Sequence, residues 1–122
     1  MNPEDVVRKF CAAVVRRDVK ELAGFFTDDA VYHNIPLAPV VGRDAIEATL
    51  AQFVTPASSA EFEMTALAVS GDKVLTERVD RFEIGGKKVA IPVMGTFEVD
   101  PDGRIRAWRD YFDMQQFTNQ MA

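Results

Sequence analysis

The residues of this chain that point most directly to chemistry are an arginine and two aspartates on strand faces that are otherwise apolar. In the stretch T-E-R-V-D, Arg78 and Asp80 are separated by one residue, and in W-R-D-Y-F-D, Asp110 lies between Trp108 and Phe112 on one strand face. Side chains two residues apart on a strand share a face, so these charges are expected to point into an apolar interior. A buried, unpaired carboxylate is destabilising or shifts its pKa, so the pattern indicates an ion pair or an acid–base site.

Asp110 shifts the interpretation from a structural ion pair towards acid–base chemistry. For Arg78 and Asp80 alone, a buried salt bridge explains the pattern as well as a function does. With Asp110 on a neighbouring inward face, one guanidinium can bind two carboxylates at a fixed separation. One aspartate can then stay ionised as a base, while burial keeps the other neutral as an acid.

Tyr32 and Asn34 are a second polar pair that shares one strand face. A phenol and an amide can orient a water molecule for a nearby base. Taken in isolation, a hydrogen-bonding pair at the end of a strand is the better explanation of these two residues. His33 has the opposite parity and is expected to point away, and one histidine cannot build a metal site alone. We therefore expect no metal site.

The helices and strands that must position these residues follow from the spacing of apolar side chains and from glycine and proline turns. Helices are predicted over residues 3–17, 19–25, 43–53 and 115–121. Strands are predicted over residues 30–34, 61–69, 73–84, 88–99 and 104–113. Between them we expect a turn at 27–29, loops at 36–42 and 56–59, and tight turns at 71–72, 85–86 and 101–103.

This order of elements predicts one α+β domain over residues 1–122, in which a curved antiparallel sheet wraps around the N-terminal helices. The strand at 88–97 is apolar on both faces, with Val93 on one and Met94 on the other. A sheet that is apolar on both sides needs a second cover, and another copy of the chain is the simplest one. The sequence therefore predicts a homodimer.

The composition excludes several classes of partner. A net charge of −5 with scattered basic residues argues against binding to nucleic acid. The single cysteine, Cys11, rules out an internal disulfide and fits a reducing cytoplasm. The sequence has neither a segment that could span a membrane nor the apolar core of a signal peptide, so we expect a cytoplasmic protein without membrane contact.

Four stretches, taken together and in order, resemble the limonene-1,2-epoxide hydrolase family. They are V-Y-H-N-I-P at 31–36, V-G-R-D-A-I at 41–46, T-E-R-V-D at 76–80 and W-R-D-Y-F-D at 108–113. The resemblance implies a cone-shaped α+β fold of the ketosteroid-isomerase and nuclear-transport-factor type, with a deep pocket and a dimer interface across the sheet. It also implies that an epoxide is opened by water in one concerted step, without a covalent enzyme intermediate or a cofactor.

The resemblance further implies a role for each polar residue. Asp110 would be the general base, and Tyr32 and Asn34 would hold the attacking water. Asp80 would protonate the epoxide oxygen, and Arg78 would bridge the two carboxylates. The expected substrate is an apolar epoxide, terpene-like or cyclic, that becomes a vicinal diol. The predicted wall of the substrate pocket consists of Phe82, Met94, Trp108, Phe112, Leu50 and Phe53.

Two alternatives belong to other functional classes. An isomerase or cyclase of the same fold, acting next to a carbonyl, would also use a carboxylate base and a buried neutral acid, but it would not need a water-holding Tyr/Asn pair or a bridging arginine. A non-catalytic domain that binds a small ligand would use the charges only to stabilise its cavity. The convergence of five polar residues on one side favours the hydrolase.

Overall fold

Two helices, two strands and a third helix precede a long antiparallel meander in the computed structural model, which describes residues 2–122. The helices are α1 (Pro3–Ala13), α2 (Val19–Ala23), α3 (Arg43–Val54) and α4 (Met114–Met121), and a 3₁₀ turn at Val14–Arg16 follows α1. The strands are β1 (Phe26–Asn34), β2 (Val40–Val41), β3 (Ala57–Ser70), β4 (Lys73–Ile84), β5 (Lys87–Val99) and β6 (Ile105–Tyr111). The expected α+β arrangement is confirmed.

All six strands form one curved, open sheet in the order β2-β1-β6-β5-β4-β3. The strands from β3 to β6 pair antiparallel with their neighbours, as predicted. The expectation of an entirely antiparallel sheet is wrong at one place, because β1 runs parallel to β6. Parallel strands need a long connection, and here the connection is α3 together with the meander from β3 to β5.

The helix boundaries depend on capping groups that the apolar pattern does not report. The Asn2 side chain accepts a hydrogen bond of 2.8 Å from the backbone N–H of Asp5, so α1 begins at Pro3 as predicted. The predicted end at residue 17 is wrong for the α-helix, because Arg17 adopts a left-handed conformation (φ 52°) after the 3₁₀ turn. The helix α2 likewise ends at Ala23 instead of residue 25.

Strand pairing overrides local turn propensity at two predicted loops. Residues 27–29 do not form a turn but extend β1, whose first residue Phe26 pairs with Ile105 across an irregularity in register. Residues 57–59 belong to β3, because Ala57 pairs with Ile84. The short strand β2 also lies inside the predicted loop at 36–42.

The remaining boundaries agree closely with the predicted ones. The strand β4 has the predicted bounds, and β5 begins one residue early. The tight turns at 71–72 and 85–86 are present, with Gly71, Gly85 and Gly86 at positive φ. The strand β6 is shorter than predicted, because Asp113 caps α4 by accepting a hydrogen bond of 2.9 Å from the backbone N–H of Gln115.

The helix α1 packs on the concave face of the sheet through Phe10. Its ring lies edge-on to Phe26, Phe97 and Trp108, with centroid distances of 5.4, 5.9 and 5.1 Å. A second apolar cluster, around Ile91 and Val93, lies beneath α4. Within residues 2–122 no helix is both long and apolar enough to cross a membrane.

Candidate active site

The concave face of β4 carries buried charge between apolar ends, as strand parity predicts. Val74 and Thr76 are buried at one end, and Phe82 is half-buried at the other. Between them, the side chain of Arg78 is 0% exposed and that of Asp80 is 10% exposed. Charged groups of this kind are rarely buried to this extent unless they are paired.

The guanidinium of Arg78 lies between two carboxylates and makes a two-pronged contact with each. Its Nε and Nη2 donate to Asp80 at 3.0 and 2.9 Å. Its Nη1 and Nη2 donate to Asp110 at 3.2 and 2.8 Å. Two ionised carboxylates and one guanidinium would leave a negative charge in an apolar interior, so a proton on one carboxylate is favoured.

The two carboxylates differ in their surroundings. Asp110 accepts a third hydrogen bond of 2.7 Å, from the indole Nε1 of Trp108, whereas Asp80 accepts none beyond those from Arg78. Burial raises the pKa of Asp80 to about 6 against the opposing effect of Arg78, and the charge of Asp110 adds to the rise. The environment therefore favours a proton on Asp80.

Tyr32 and Asn34 reach the same site because β1 lies parallel to β6. In this register Tyr32 is opposite Trp108 and Asn34 is opposite Asp110. The ring of Tyr32 stacks on Trp108 at a centroid distance of 4.0 Å. Burial, and then the charge of Asp110, raise the pKa of the Tyr32 hydroxyl far above its ordinary value, while a hydrogen bond with Asn34 lowers it. Tyr32 is therefore a neutral hydrogen-bonding group beside Asp110.

A cavity of about 310 Å³ opens over these groups. Its polar lining consists of Tyr32, Asn34, Gln52, Asp80 and Asp110, and the rest of its wall is apolar. Arg78 is not part of the wall but lies behind the two carboxylates that it binds. The site can thus present an acid, a base and two water-orienting groups to a largely apolar ligand.

Three of the six predicted wall residues, Phe53, Phe82 and Phe112, line the cavity. The other three do not. Met94 has the opposite parity on β5 and is 49% exposed on the convex face of the sheet. Leu50 is 1% exposed and packs in the core under α3. Trp108 is 0% exposed and lies behind the cavity, where it supports Tyr32 and Asp110.

The sequence-based prediction missed several cavity residues. Two of them, Ile91 and Val93, are paired with Asp80 and Arg78 in the β4–β5 register, so strand parity and the turn at 85–86 could have found them. The others are Leu37, Gln52, Phe62, Met114 and Phe117. Of these, Met114 and Phe117 are three residues apart in α4, a helical spacing that could have placed both on one face of the helix.

His33 points away from the cavity, as its parity predicts. It lies in β1 between Tyr32 and Asn34, and its Nε2 lies 3.0 Å from the backbone oxygen of Leu37, which closes the following turn. Among residues 2–122, no group of three or more His, Cys, Asp or Glu side chains is arranged to hold a metal ion.

A family model and a known protein match most or all of this chain. The family model of the limonene-1,2-epoxide hydrolase catalytic domain matches residues 1–122. Epoxide hydrolase EphG of Mycobacterium tuberculosis is 37% identical over 108 residues, which cover 88% of this chain and 71% of that protein. The family match therefore extends over the whole chain, and EphG is similar over most of it.

Solved structures show the same fold. The structure of an M. tuberculosis LEH-like epoxide hydrolase has a TM-score of 0.83 at 33% identity and covers 96% of this chain and 87% of its own. SalBIII, an epoxide hydrolase/cyclase-like enzyme with a role in pyran ring formation in the polyether salinomycin, has a TM-score of 0.85. At 20% identity, over 93% of this chain and 92% of its own, SalBIII shares the fold alone. By its matching family model and its similarity to EphG, the chain belongs to the limonene-1,2-epoxide hydrolase family.

Proposed function

We propose that this protein adds water directly to an apolar epoxide and releases a vicinal diol, with Asp110 as the base and Asp80 as the acid. The observation that carries the proposal is one guanidinium bound to two carboxylates that both open onto an otherwise apolar cavity. Opening an epoxide with water requires removal of a proton from the nucleophile and delivery of a proton to the leaving oxygen. This arrangement supplies both functions.

The reaction proceeds in one step. A water molecule held by Tyr32 and Asn34 gives a proton to Asp110 while its oxygen forms a bond to one epoxide carbon. The bond between that carbon and the epoxide oxygen breaks, and Asp80 gives its proton to this oxygen. One carboxylate gains a proton as the other loses one, so the total charge of the buried group does not change. Arg78 contacts both carboxylates and can assist the return of the proton to Asp80.

The cavity favours a compact substrate. Its volume of about 310 Å³ is near the lower end of the usual range for ligand pockets, and its wall is mainly aromatic and aliphatic. A terpene-like or small cyclic epoxide matches these properties. General acid–base assistance typically contributes about 10²- to 10⁴-fold in rate. Orientation of the water and relief of ring strain contribute the remainder.

The alternative is an isomerase or cyclase that acts next to a carbonyl. It would use the same pair of aspartates, and SalBIII, named as epoxide hydrolase/cyclase-like, shares the fold. The hydrolase is favoured because Tyr32 and Asn34 line the cavity beside the base, where an attacking water would be held.

The test is a single turnover in ¹⁸O-water with enzyme in excess over limonene-1,2-oxide or cyclohexene oxide. We expect the label in the diol after the first turnover. Label that appears first in an aspartate of the protein, with unlabelled diol, would contradict direct attack by water. Proton exchange on a ketosteroid-like substrate without diol from any epoxide would favour the isomerase.

Substitution of each carboxylate tests the assigned residues. Asp80→Asn and Asp110→Asn keep the side-chain shape but remove the acid or the base, so each is expected to lower kcat at least about 100-fold. Circular dichroism serves as the control for folding. Full activity in either variant would contradict the assignment.

We also propose that the protein forms a homodimer through the convex face of the sheet. Leu75, Met94 and Tyr111 are 39%, 49% and 49% exposed there, although they are large and apolar. The strand register places Met94 beside Tyr111 and both on the face opposite the cavity. A second copy would remove this apolar surface from water.

A further inference from the structure

Two buried residues lie directly beneath Arg78 and take no part in the reaction scheme above. Thr76 is 1% exposed and precedes Arg78 by two residues on β4. Gly95 is its register partner on β5, and Gly95 is in turn the partner of Asp110 on β6. Thr76, Gly95 and Asp110 therefore form one row across three strands, and neither Thr76 nor Gly95 lines the cavity.

The hydroxyl of Thr76 completes the hydrogen bonding of Arg78. A guanidinium has five N–H donors, and four of them are directed at Asp80 and Asp110. The fifth, on Nη1, donates to Oγ1 of Thr76 at 3.0 Å. The Thr76 hydroxyl donates its own hydrogen to the backbone oxygen of Gly95 at 3.0 Å, so it can only accept from Arg78.

The absence of a side chain at Gly95 leaves room for the contacts that Arg78 makes with Thr76 and Asp110. A Cβ atom at this position would lie well inside van der Waals distance of Asp110 Oδ1 and Arg78 Nη1. It would also lie 3.3 Å from Thr76 Oγ1. Gly95 needs no unusual backbone conformation, because its φ is not positive. Close approach of other groups is a known reason for glycine inside a strand, and here the groups are the ion pair.

We propose that Thr76 and Gly95 are positioning residues that hold the Arg78 guanidinium on Asp80 and Asp110 at the same time. They act through Arg78 on proton exchange between the two carboxylates, and they do not act on substrate binding. The expected effect of Thr76 and Gly95 on the rate rests on the proposed function. Their expected effect on the ionisation of the carboxylates is independent of any substrate.

The first test compares Thr76→Val, which removes the hydroxyl at almost constant shape, with Thr76→Ser, which keeps it. Loss of a hydrogen bond to a charged group predicts a decrease in kcat of about 10-fold for Thr76→Val, with KM within about twofold. Thr76→Ser is expected to stay within about twofold of the wild type. Wild-type kcat in Thr76→Val, or equal loss in Thr76→Ser, would overturn the proposal.

The second test needs no activity. Carbon-13 NMR of the aspartate carboxyl groups reports the ionisation of Asp80 as pH is varied. A looser Arg78 stabilises the ionised form less, so the midpoint is expected to move to higher pH in Thr76→Val and to return in Thr76→Ser. If the wild type fails to hydrolyse epoxides but this shift is seen, only the proposed function fails. An unchanged midpoint in Thr76→Val would contradict the positioning role.

Gly95→Ala tests the space requirement. We expect kcat to fall more than about 100-fold, because the methyl group must displace Arg78 or Asp110. Thr96→Ala is the matched control, since Thr96 is the next residue on β5 and faces the convex side. If Gly95→Ala does not fold, the Thr76 pair still decides the proposal. A folded and fully active Gly95→Ala would overturn the role of Gly95.

Discussion

At the scale of single residues, the number of donors distinguishes two otherwise similar carboxylates. Asp110 accepts three hydrogen bonds and Asp80 accepts two, although both bind the same guanidinium. The difference comes from Trp108, which is not on the cavity wall but donates to Asp110 from behind. An aromatic residue predicted to contact substrate thus binds one of the two carboxylates instead.

The raised pKa of Asp80 predicts the pH dependence of activity. The acid must carry its proton, and burial raises its pKa to about 6. We therefore expect kcat/KM to fall about tenfold per pH unit above this value, as the proton of the pair is lost. A kcat/KM that stays constant between about pH 5 and pH 8 would contradict the assignment of Asp80 as the acid.

The same pKa predicts a pH dependence of stability. The folded state binds the proton of Asp80 more tightly than the unfolded state, because the pKa of the folded state is the higher one. This contribution to the free energy of unfolding is fully present below the unfolded pKa of about 4 and is lost as pH rises through about 6. Urea unfolding of the wild type and of Asp80→Asn at several pH values isolates it. If the free energy of unfolding changes with pH in the same way in both proteins, the predicted contribution of Asp80 is contradicted.

At the scale of elements, α4 covers the part of β5 that is paired with β4 on one side but has no strand partner on the side of β6. The pairing of β5 with β6 extends no further towards the start of β5 than Met94. Beyond that point, the amide of Gln120 accepts from the backbone N–H of Ala90 at 2.6 Å and donates to its backbone oxygen at 3.0 Å. Because α4 also supplies Met114 and Phe117 to the cavity, these two bonds fix one wall of the site.

Loss of this attachment predicts weaker substrate binding with little effect on the chemical step. We expect Gln120→Ala to raise KM about fivefold, from the loss of two neutral hydrogen bonds, with kcat within about twofold. Hydrogen exchange at the Ala90 amide should become faster. Gln116→Ala, on the exposed side of α4, is the control and should behave like the wild type. A Gln120→Ala enzyme with an unchanged KM would show that α4 does not need this bond.

At the scale of the whole molecule, the two faces of the sheet predict different functions. The concave face holds the cavity and the charged group, and the convex face exposes Leu75, Met94 and Tyr111. A charge on the convex face should therefore oppose association of two copies without changing the site.

Met94→Lys tests this division. We expect sedimentation equilibrium to find a dimer for the wild type and a dissociation constant at least about tenfold higher for the variant, because a lysine would be buried in the interface. Val69→Lys is the matched control, since Val69 is 47% exposed but pairs with Val74 and so faces the other side. A wild type that is monomeric at high concentration would contradict the dimer.

Much of the fold and part of the candidate site could be predicted from local sequence patterns. Strand parity alone placed Arg78 and Asp80 on one buried face of β4, because alternation of side chains is a property of the strand itself. Glycine turns located the hairpins of the meander, and the apolar spacing located four helices. The order of the motifs also identified the family, which the comparison over residues 1–122 supports.

Contacts between distant parts of the chain decided the rest. The parallel pairing of β1 with β6 brings Tyr32 and Asn34 beside Asp110, and no local pattern specifies which strands become neighbours. Pairing also converted two predicted loops into strand. The position of Trp108 behind the cavity and of α4 across it depends on how the curved sheet packs. The sequence by itself determined that Arg78, Asp80 and Asp110 face inward, because alternation is local to a strand, and only the tertiary structure decided which inward-facing residues meet.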